Sequence, residues 1–209
     1  MTKSVPKCVN LVDKCNAARD TAACAIAFQV CNRDLTQPYY SSGLNPYDIR
    51  KQCGDNPLCY DFSNVEKWLN SDDTRSRLHV KPESSDWASC NYDINGDFSR
   101  DFMQSYNDLV SEMLDAGINV MIYAGDVDFI CNYLGNRAWT LELEWSGKTG
   151  FNDAPEKEWG DGHGKMRSYE GFTFLQVYDA GHMVPADKPK AALRMFDEFT
   201  RGGKFTAIA

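Results

Sequence analysis

The distribution of cysteines constrains this chain more than any other feature of its sequence. Seven of its eight cysteines lie within the first 90 of 209 residues, and the first four, at positions 8, 15, 24 and 31, suit two nested disulfides by their symmetric spacing. Zinc is the alternative, but zinc-binding cysteines usually stand about two to four residues apart with histidines nearby. None of these spacings is so short. The sequence therefore predicts a first region that is cross-linked by disulfides.

Disulfides also predict the compartment, because they form and persist in oxidising surroundings. We expect the secretory pathway, with a vacuolar, lysosomal or extracellular destination. The opening MTKSVPKCVN lacks the apolar centre of a signal peptide. A disulfide-containing chain that starts without an export signal is expected to be a processed or excised piece of a longer protein.

The composition argues against several classes of protein. Thirty acidic residues against 22 basic ones give a net charge of −8, whereas nucleic-acid binding needs clustered Lys and Arg. A hydrophobic content of 43% is enough for a core, which argues against global disorder. The sequence has no apolar run of 18 residues, so no membrane span is predicted.

The chain is predicted to divide near residue 101. Residues 1–101 form a disulfide-rich cap or insertion with short helices, and Ser63 has the sequence context of a helix N-cap. Residues 102–209 follow an α/β pattern of helix and strand. The predicted elements of this second region are a helix from Phe102 to Leu114 that stops at Gly117, a strand at 119–124, a helix at 132–143, a long loop or ragged hairpin at 144–166, a strand at 172–178 and a helix at 189–201.

This alternation predicts parallel strands. The 119–124 segment is almost entirely apolar, which is typical of a strand buried on both faces. Two strands are too few for a parallel sheet. The rest of the sheet is therefore expected to lie outside this sequence.

Polar residues follow both predicted strands, where α/β sheets carry their functional groups. Asp126 and Asp128 follow the first strand, and His182 follows the second. An acid and then a histidine is the order of the last two triad members in α/β-hydrolases. Taken singly, such an Asp is more often a cap or turn residue, and such a His is often solvated. Asp126 competes with Asp128 for the acid role, and both His79 and His163 are predicted to be surface residues.

Two segments carry a resemblance to a known family. YAGDVDFICNYLGNRAWT and, downstream, GHMVPADKPKAAL closely resemble the serine carboxypeptidases, in particular their carboxypeptidase Y-like members. The four-cysteine ladder, NPYDIRKQCGDNPLCY and ESSDWASCNYDIN resemble the same family. The resemblance extends over essentially the whole chain. It implies the C-terminal part of an α/β-hydrolase fold with a disulfide-stapled helical cap insertion.

The resemblance also implies an activity, the release of C-terminal residues from peptides through a Ser-Asp-His triad, with no metal or organic cofactor. Asp128 and His182 match the family's catalytic acid and base. Positions that match the pocket for the penultimate side chain are Asn32, Ile130 and Cys131. Positions that match the pocket for the departing residue are Tyr47, Tyr60, Cys90 and Met183. Aromatic and Ile side chains at such positions are also ordinary core material.

The family pattern, together with the nested spacing, implies disulfides Cys8–Cys31, Cys15–Cys24 and Cys53–Cys59. Cys90 matches a position whose partner lies in the part of the family that this sequence does not contain, so it is expected to be unpaired. Cys131 is expected to be a free thiol beside the active site.

The main departure from the family is the nucleophile. The sequence contains no G-x-S-x-G turn, and its closest strings, YSSGL and EWSGK, fit neither the spacing nor the strand–turn–helix context. The chain is therefore expected to be the C-terminal half, inactive by itself, with the N-terminal half of the same enzyme as its partner. Two alternatives remain open: a carboxypeptidase-like acyltransferase or lyase that uses the same triad, and a non-catalytic, disulfide-stapled binding module.

Overall fold

The computed structural model describes residues 2–18, 21–56 and 58–202, and these divide into two compact units. The first unit consists of residues 1–43 and 52–104, and the second of residues 44–51 and 105–209. The sequence grouped residues 44–51 with the cysteine-rich region, whereas the structure includes them in the second unit. This short segment contributes directly to the site described below.

The first unit is helical and is cross-linked three times. The bridges expected from the resemblance are present: Cys8–Cys31, Cys15–Cys24 and Cys53–Cys59, with Cα–Cα distances of 5.2, 4.6 and 4.7 Å. Cys90 is free, as expected. The α-helices of this unit are α1 (Val5–Ala18), α2 (Thr21–Cys31), α3 (Gln37–Tyr40), α4 (Ser63–Leu69), α5 (Asp72–Arg77) and α6 (Tyr92–Asp97).

The apolar interior of the first unit is small. Cys15, Cys24 and Ala27 are fully buried between α1 and α2. Phe102 stacks on Phe28 with ring centroids 5.3 Å apart. The prediction of a helix from Phe102 is therefore wrong, because this ring packs into the first unit and the next helix starts only at Asn107.

The second unit contains a four-stranded sheet with strand order β1-β4-β3-β2. β1 and β4 are parallel, and the β2–β3 and β3–β4 pairs are antiparallel. The elements are α7 (Asn107–Asp115), β1 (Val120–Gly125), α8 (Tyr133–Glu142), α9 (Lys148–Asp153), β2 (Lys157–Trp159), β3 (Gly164–Tyr169), β4 (Phe172–Val177), α10 (Val184–Asp187) and α11 (Pro189–Thr200).

Strand β4 builds a core on each face of this sheet. Phe172 and Phe174 belong to one buried cluster, together with side chains from α7 and α9. Leu175 and Val177 belong to another, together with side chains from α10 and α11. Because successive strand residues point to opposite faces, one strand can serve both clusters. β4 is therefore the strand buried on both faces.

Two predictions for this unit need correction. Residues 144–166 were expected to form a long loop or ragged hairpin. β2 and β3 do pair as an antiparallel hairpin, with Lys157 opposite Met166, but the preceding part of the range contains helix α9, which was not predicted. β1 was expected to be buried on both faces, yet only Ala124 and Gly125 are buried and Tyr123 is 42% exposed. The physical reason is its position at the end of the strand order: within the described residues, β1 pairs with β4 alone.

Helix ends show one further difference. Ser63 does not cap α4 with its side chain; instead, its backbone N–H donates to the Asp61 carboxylate at 3.0 Å. The predicted stop of α7 is confirmed, since Gly117 has φ +79° and its N–H donates to the Leu114 carbonyl. Among the described residues, every helix is too short or too polar to cross a bilayer.

Candidate active site

The parallel pairing of β1 and β4 brings two loops to the same edge of the sheet. β1 ends at Gly125 and β4 at Val177, and these two residues are register partners. The loops stay joined beyond the strands, because Asp126 N–H donates to the Val177 carbonyl at 3.0 Å and Val127 N–H to the Ala180 carbonyl at 3.1 Å. The carboxyl ends of parallel strands are where α/β folds hold their functional groups.

Two glycines allow these loops to approach closely. A Cβ atom at Gly125 would lie 2.1 Å from the Ala180 carbonyl oxygen, and one at Gly181 would lie 2.3 Å from the Tyr47 carbonyl oxygen. Both contacts are with backbone, which cannot move aside as a flexible side chain can. Glycine is therefore required at both crossings.

At this edge Asp128 and His182 form a hydrogen-bonded pair. The distance from Asp128 Oδ2 to His182 Nδ1 is 2.9 Å. The Asp128 side chain is 4% exposed and the His182 side chain 40%. A buried carboxylate at Nδ1 favours the tautomer with its proton on Nδ1, which leaves Nε2 able to accept a proton. The arrangement is that of an oriented general base.

The second oxygen of Asp128 is held by backbone. Its Oδ1 accepts hydrogen bonds from the N–H groups of Ile130 at 3.1 Å and Cys131 at 3.3 Å. Asp128 thus acts as the acceptor for the turn that precedes α8 as well as for the imidazole. The carboxylate is fixed on both sides before any substrate binds.

Segment 44–51 connects both loops of the site. The Tyr47 carbonyl accepts the His182 N–H at 2.8 Å, and the two rings lie 5.2 Å apart. The Pro46 carbonyl accepts the N–H groups of Phe129 and Ile130 at 3.1 and 3.0 Å. One short segment therefore holds the backbone on the acid side and on the base side.

A buried ion pair holds this segment in shape. Asp48 is 2% exposed and accepts two hydrogen bonds from the Arg50 guanidinium, both at 2.8 Å, while Lys51 Nζ lies 2.9 Å away. The Arg50 guanidinium, with help from Lys51, holds the pKa of Asp48 well below its usual range. Asp48 therefore stays ionised at any pH near neutrality.

Asp187 completes the contacts on the base side. Its Oδ2 accepts the Gly181 N–H at 2.7 Å, directly before His182 in the chain. Sequence reasoning missed both Asp48 and Asp187 as residues that support the site. The Asn-Pro-Tyr-Asp turn offered a signal for the first, since short acidic side chains in turns bind nearby backbone amides.

Asp126, the competing acid, has a different environment. Burial raises the pKa of its carboxyl group, and its Oδ1 has no hydrogen-bond partner within the described ranges. The carboxylate that reaches His182 is that of Asp128. His79 and His163 are both exposed.

Cys131 is a free thiol in the second unit. Burial raises the pKa of its thiol, and the negative charge of Asp128 adds to the rise. Together with Asp128 and His182, it forms a group whose side-chain ligand atoms all lie within 4.8 Å of one another. A shallow cleft beside the thiol is lined by Ile130, Cys131, Asn132, Gly135, Asn136 and Trp139.

The remaining predicted residues fall into two groups. Tyr47, Ile130, Cys131 and Met183 lie in the second unit, next to or in contact with the Asp128–His182 pair or its neighbours along the chain. The other three lie in the first unit: Asn32, Tyr60 and Cys90. The roles of all seven residues in substrate pockets stay predictions.

Comparisons with known proteins agree with this architecture. The sequence model of the serine carboxypeptidase family matches residues 1–202. Carboxypeptidase Y of Candida albicans is 41% identical over 208 residues, which cover 97% of this chain and 38% of that protein. Carboxypeptidase Y homolog A of Coccidioides posadasii is 40% identical over 214 residues, covering 97% and 39%. Carboxypeptidase Y of Komagataella phaffii is 40% identical over 202 residues, covering 94% and 38%.

A solved structure is also similar. Kex1(delta)p, a prohormone-processing carboxypeptidase from Saccharomyces cerevisiae, superposes with a TM-score of 0.75 at 25% identity, over 96% of this chain and 46% of that one. The predicted fold class, an α/β-hydrolase fold, is confirmed. The chain spans 38–39% of the length of the three curated relatives named above.

Proposed function

Because the chain belongs to the serine carboxypeptidase family, we propose that it supplies the acid and the base of a Ser-Asp-His triad that releases C-terminal residues from peptides. The observation that carries this proposal is the 2.9 Å hydrogen bond between buried Asp128 and His182. In the proposed reaction, His182 takes the proton of an attacking serine through Nε2. The Asp128 carboxylate stabilises the imidazolium ion that results.

The rest of the proposed cycle follows from the same pair. The protonated ring passes its proton to the departing amino acid, and an acyl-enzyme forms on the serine. His182 then takes a proton from water, which attacks the acyl group and restores the free serine. These steps require no change in the Asp128 contacts, since its Oδ1 stays bonded to the backbone throughout.

The nucleophile is proposed to come from an N-terminal segment of the same enzyme. Two observations support this: the 209 residues contain no G-x-S-x-G turn, and they span 38–39% of the length of their curated relatives. The chain alone is therefore proposed to be inactive. The edge of β1, bonded on one side within the described residues, fits a sheet that continues into another segment.

The cellular setting is proposed from the disulfides. Three bridges in a chain of this size favour an oxidising compartment, and we propose the vacuole, the lysosome or secretion.

The test begins with the gene. The reading frame upstream of this chain is expected to encode a G-x-S-x-G turn. Co-expressed with that upstream segment, the chain should release C-terminal residues from a blocked dipeptide. The chain alone should not react with a fluorophosphonate, which labels activated serines. Stoichiometric labelling of the chain alone would refute the proposed division of the triad.

Variants of the co-expressed protein separate the triad from general effects. Asp128→Asn should lower kcat by about 10⁴-fold, as in other enzymes with this triad, and His182→Ala by at least as much. His163→Ala, at an exposed histidine of the same unit, should change the rate by less than about twofold. Product analysis distinguishes hydrolysis from acyl transfer and from a lyase reaction. Equal rates for His182→Ala and His163→Ala would exclude the proposed base.

A further inference from the structure

The loop that carries His182 is closed by a hydrogen bond outside the triad. We propose that Asp187 is a positioning residue for the general base: its carboxylate fixes the backbone at Gly181, and the His182 ring thereby keeps its geometry toward Asp128. This inference rests on the proposed function, because it gives Asp187 a part in the same reaction. Asp187 acts through the backbone and touches neither the substrate nor the reacting atoms.

The hydrogen bond in question closes a short loop. Asp187 Oδ2 accepts the Gly181 N–H at 2.7 Å, a short distance that is typical of a donor facing a carboxylate. The helical turn α10 lies between the two residues, and the Asp187 N–H donates to the Met183 carbonyl at 3.0 Å. The end of this turn therefore places the Asp187 side chain against the residue that precedes His182.

Three bonds to three different parts of the chain hold the base. The Gly181 N–H is bonded to Asp187, the His182 N–H to the Tyr47 carbonyl at 2.8 Å, and the His182 ring to Asp128 at 2.9 Å. Gly181 has to be glycine, because a Cβ there would lie 2.3 Å from the Tyr47 carbonyl oxygen. Glycine is also the residue with the greatest backbone freedom. Asp187 supplies the restraint that this position lacks by itself.

The charges around Asp187 indicate that position matters more than charge. Lys51 Nζ lies 3.9 Å from Asp187 Oδ1 and 2.9 Å from Asp48 Oδ2, so one ammonium group faces both carboxylates. The Lys51 side chain is 57% exposed, and exposed ion pairs stabilise proteins little. We therefore expect the effect to come from the hydrogen bond to Gly181, which an uncharged oxygen acceptor at position 187 could also make.

Loss of this bond should affect proton transfer more than substrate binding. A displacement of about 1 Å at a catalytic group can lower a rate by about 100-fold. His182 moves a proton in both halves of the proposed reaction, so a misplaced ring should lower kcat. KM should change little, since Asp187 is not proposed to contact the substrate.

Three substitutions at position 187 of the co-expressed enzyme separate the acceptor from the charge. Asp187→Leu removes the acceptor and should lower kcat by about 10–100-fold. Asp187→Asn keeps an oxygen acceptor at the same distance from the backbone and should stay within about threefold of wild type. Asp187→Glu keeps the charge but moves the oxygens by one methylene group, and should lower kcat by about tenfold.

The matched control removes a carboxylate elsewhere in the second unit. Asp197 pairs with Arg201 at 2.9 Å near the end of α11, and Asp197→Leu should leave kcat and KM within about twofold of wild type. Amide exchange in β4, measured for every variant, reports whether the unit is still folded. If Asp187→Leu does not fold, Asp187→Glu provides the test.

A spectroscopic measurement on the 209-residue chain needs no activity. The proton on His182 Nδ1, shared with Asp128, should give a far-downfield proton resonance in the NMR spectrum. This resonance should be shifted or broadened in Asp187→Leu and Asp187→Glu. It should remain in Asp187→Asn and Asp197→Leu. A purely structural role of Asp187 would leave it unchanged in every folded variant.

The outcomes distinguish this inference from the proposed function. Wild-type kcat in both Asp187→Leu and Asp187→Glu, an equal loss in Asp197→Leu, or a change in KM alone would overturn the positioning role. If the co-expressed wild type releases no C-terminal residue but the resonance is lost in Asp187→Leu and kept in Asp187→Asn, the positioning of His182 stands and the proposed function fails.

Discussion

The two units of this chain are stabilised by different means. In the first unit the fully buried side chains are few, and two of them, Cys15 and Cys24, are joined to each other. In the second, apolar side chains cover both faces of a sheet centred on β4. A helical unit with so little interior needs cross-links, because small cores bury too little surface to offset the loss of chain entropy. The second unit contains no disulfide among its described residues.

The largest expected effect comes from breaking the staples. The double variant Cys15→Ser/Cys24→Ser should speed amide exchange in α1 and α2 by about 100-fold, since such a bridge is worth about 3 kcal/mol. Reduction of all three bridges should speed it further. Amides of β3 and β4 should exchange as before. Cys53→Ser/Cys59→Ser, which opens a shorter loop, is the control with a smaller and local effect. Equal loss of protection in β4 would mean that the units do not unfold separately.

A core variant should show the opposite pattern. Phe172 is fully buried against Phe151 and Trp145, with ring centroids 4.7 and 5.8 Å away. Phe172→Ala should lower the free energy of unfolding of the second unit by about 3–5 kcal/mol. Urea denaturation, monitored by hydrogen exchange, measures this change. Phe196→Ala removes a ring that is 64% exposed in the same unit and should cost less than about 1 kcal/mol. Similar costs for both variants would contradict the assigned core.

A smaller effect should appear with pH. The folded-state pKa of Asp48 is lowered by Arg50 and Lys51, so its stabilising contribution is complete above the unfolded value of about 3.9 and is lost as the pH falls below it. Asp48→Asn should lower the free energy of unfolding by about 1–2 kcal/mol at pH 7. The difference from wild type should be smaller at pH 3. Urea denaturation at the two pH values measures both differences. Asp153→Asn, at an exposed position, should cost less than about 0.5 kcal/mol at either pH. If the difference in unfolding free energy between Asp48→Asn and wild type did not change with pH, the ionised Asp48 carboxylate would not be the stabilising group.

Only two of the four strands, β1 and β4, have a strong hydrophobic pattern in the sequence, and both were predicted from it. The apolar segments at 119–124 and 172–178 became the parallel pair β1 and β4. The β2–β3 pair was predicted only as one alternative, a ragged hairpin within 144–166, because the alternation in β3 carries little hydrophobic contrast. Only Gly164 and Met166 of β3 are buried, and Arg167 on this strand donates to three carbonyls of the α9 region. A strand stabilised by such long-range contacts cannot be recognised from local composition.

The residues of the site could be predicted as far as the ends of the strands could be located in the sequence. Asp128 and His182 follow from the position of polar residues after two strands, whereas the competing Asp126 could not be separated from Asp128 on that basis. The choice depends on which way each carboxylate points, which is set by the Ile130 and Cys131 amides. The supporting roles of Asp48 and Asp187 depend on segment 44–51 joining the second unit. That long-range contact has no signature in local sequence.

The nesting of two disulfides in the first unit has a topological consequence. Cys8–Cys31 encloses Cys15–Cys24, so a single peptide-bond cleavage anywhere between residues 8 and 31 leaves both pieces in one covalent molecule. A cut between Cys15 and Cys24 would leave two cross-links across the break. A nicked chain would therefore migrate intact on a non-reducing gel and separate only after reduction. In this segment the two disulfides, as much as the continuous backbone, keep the molecule in one covalent piece.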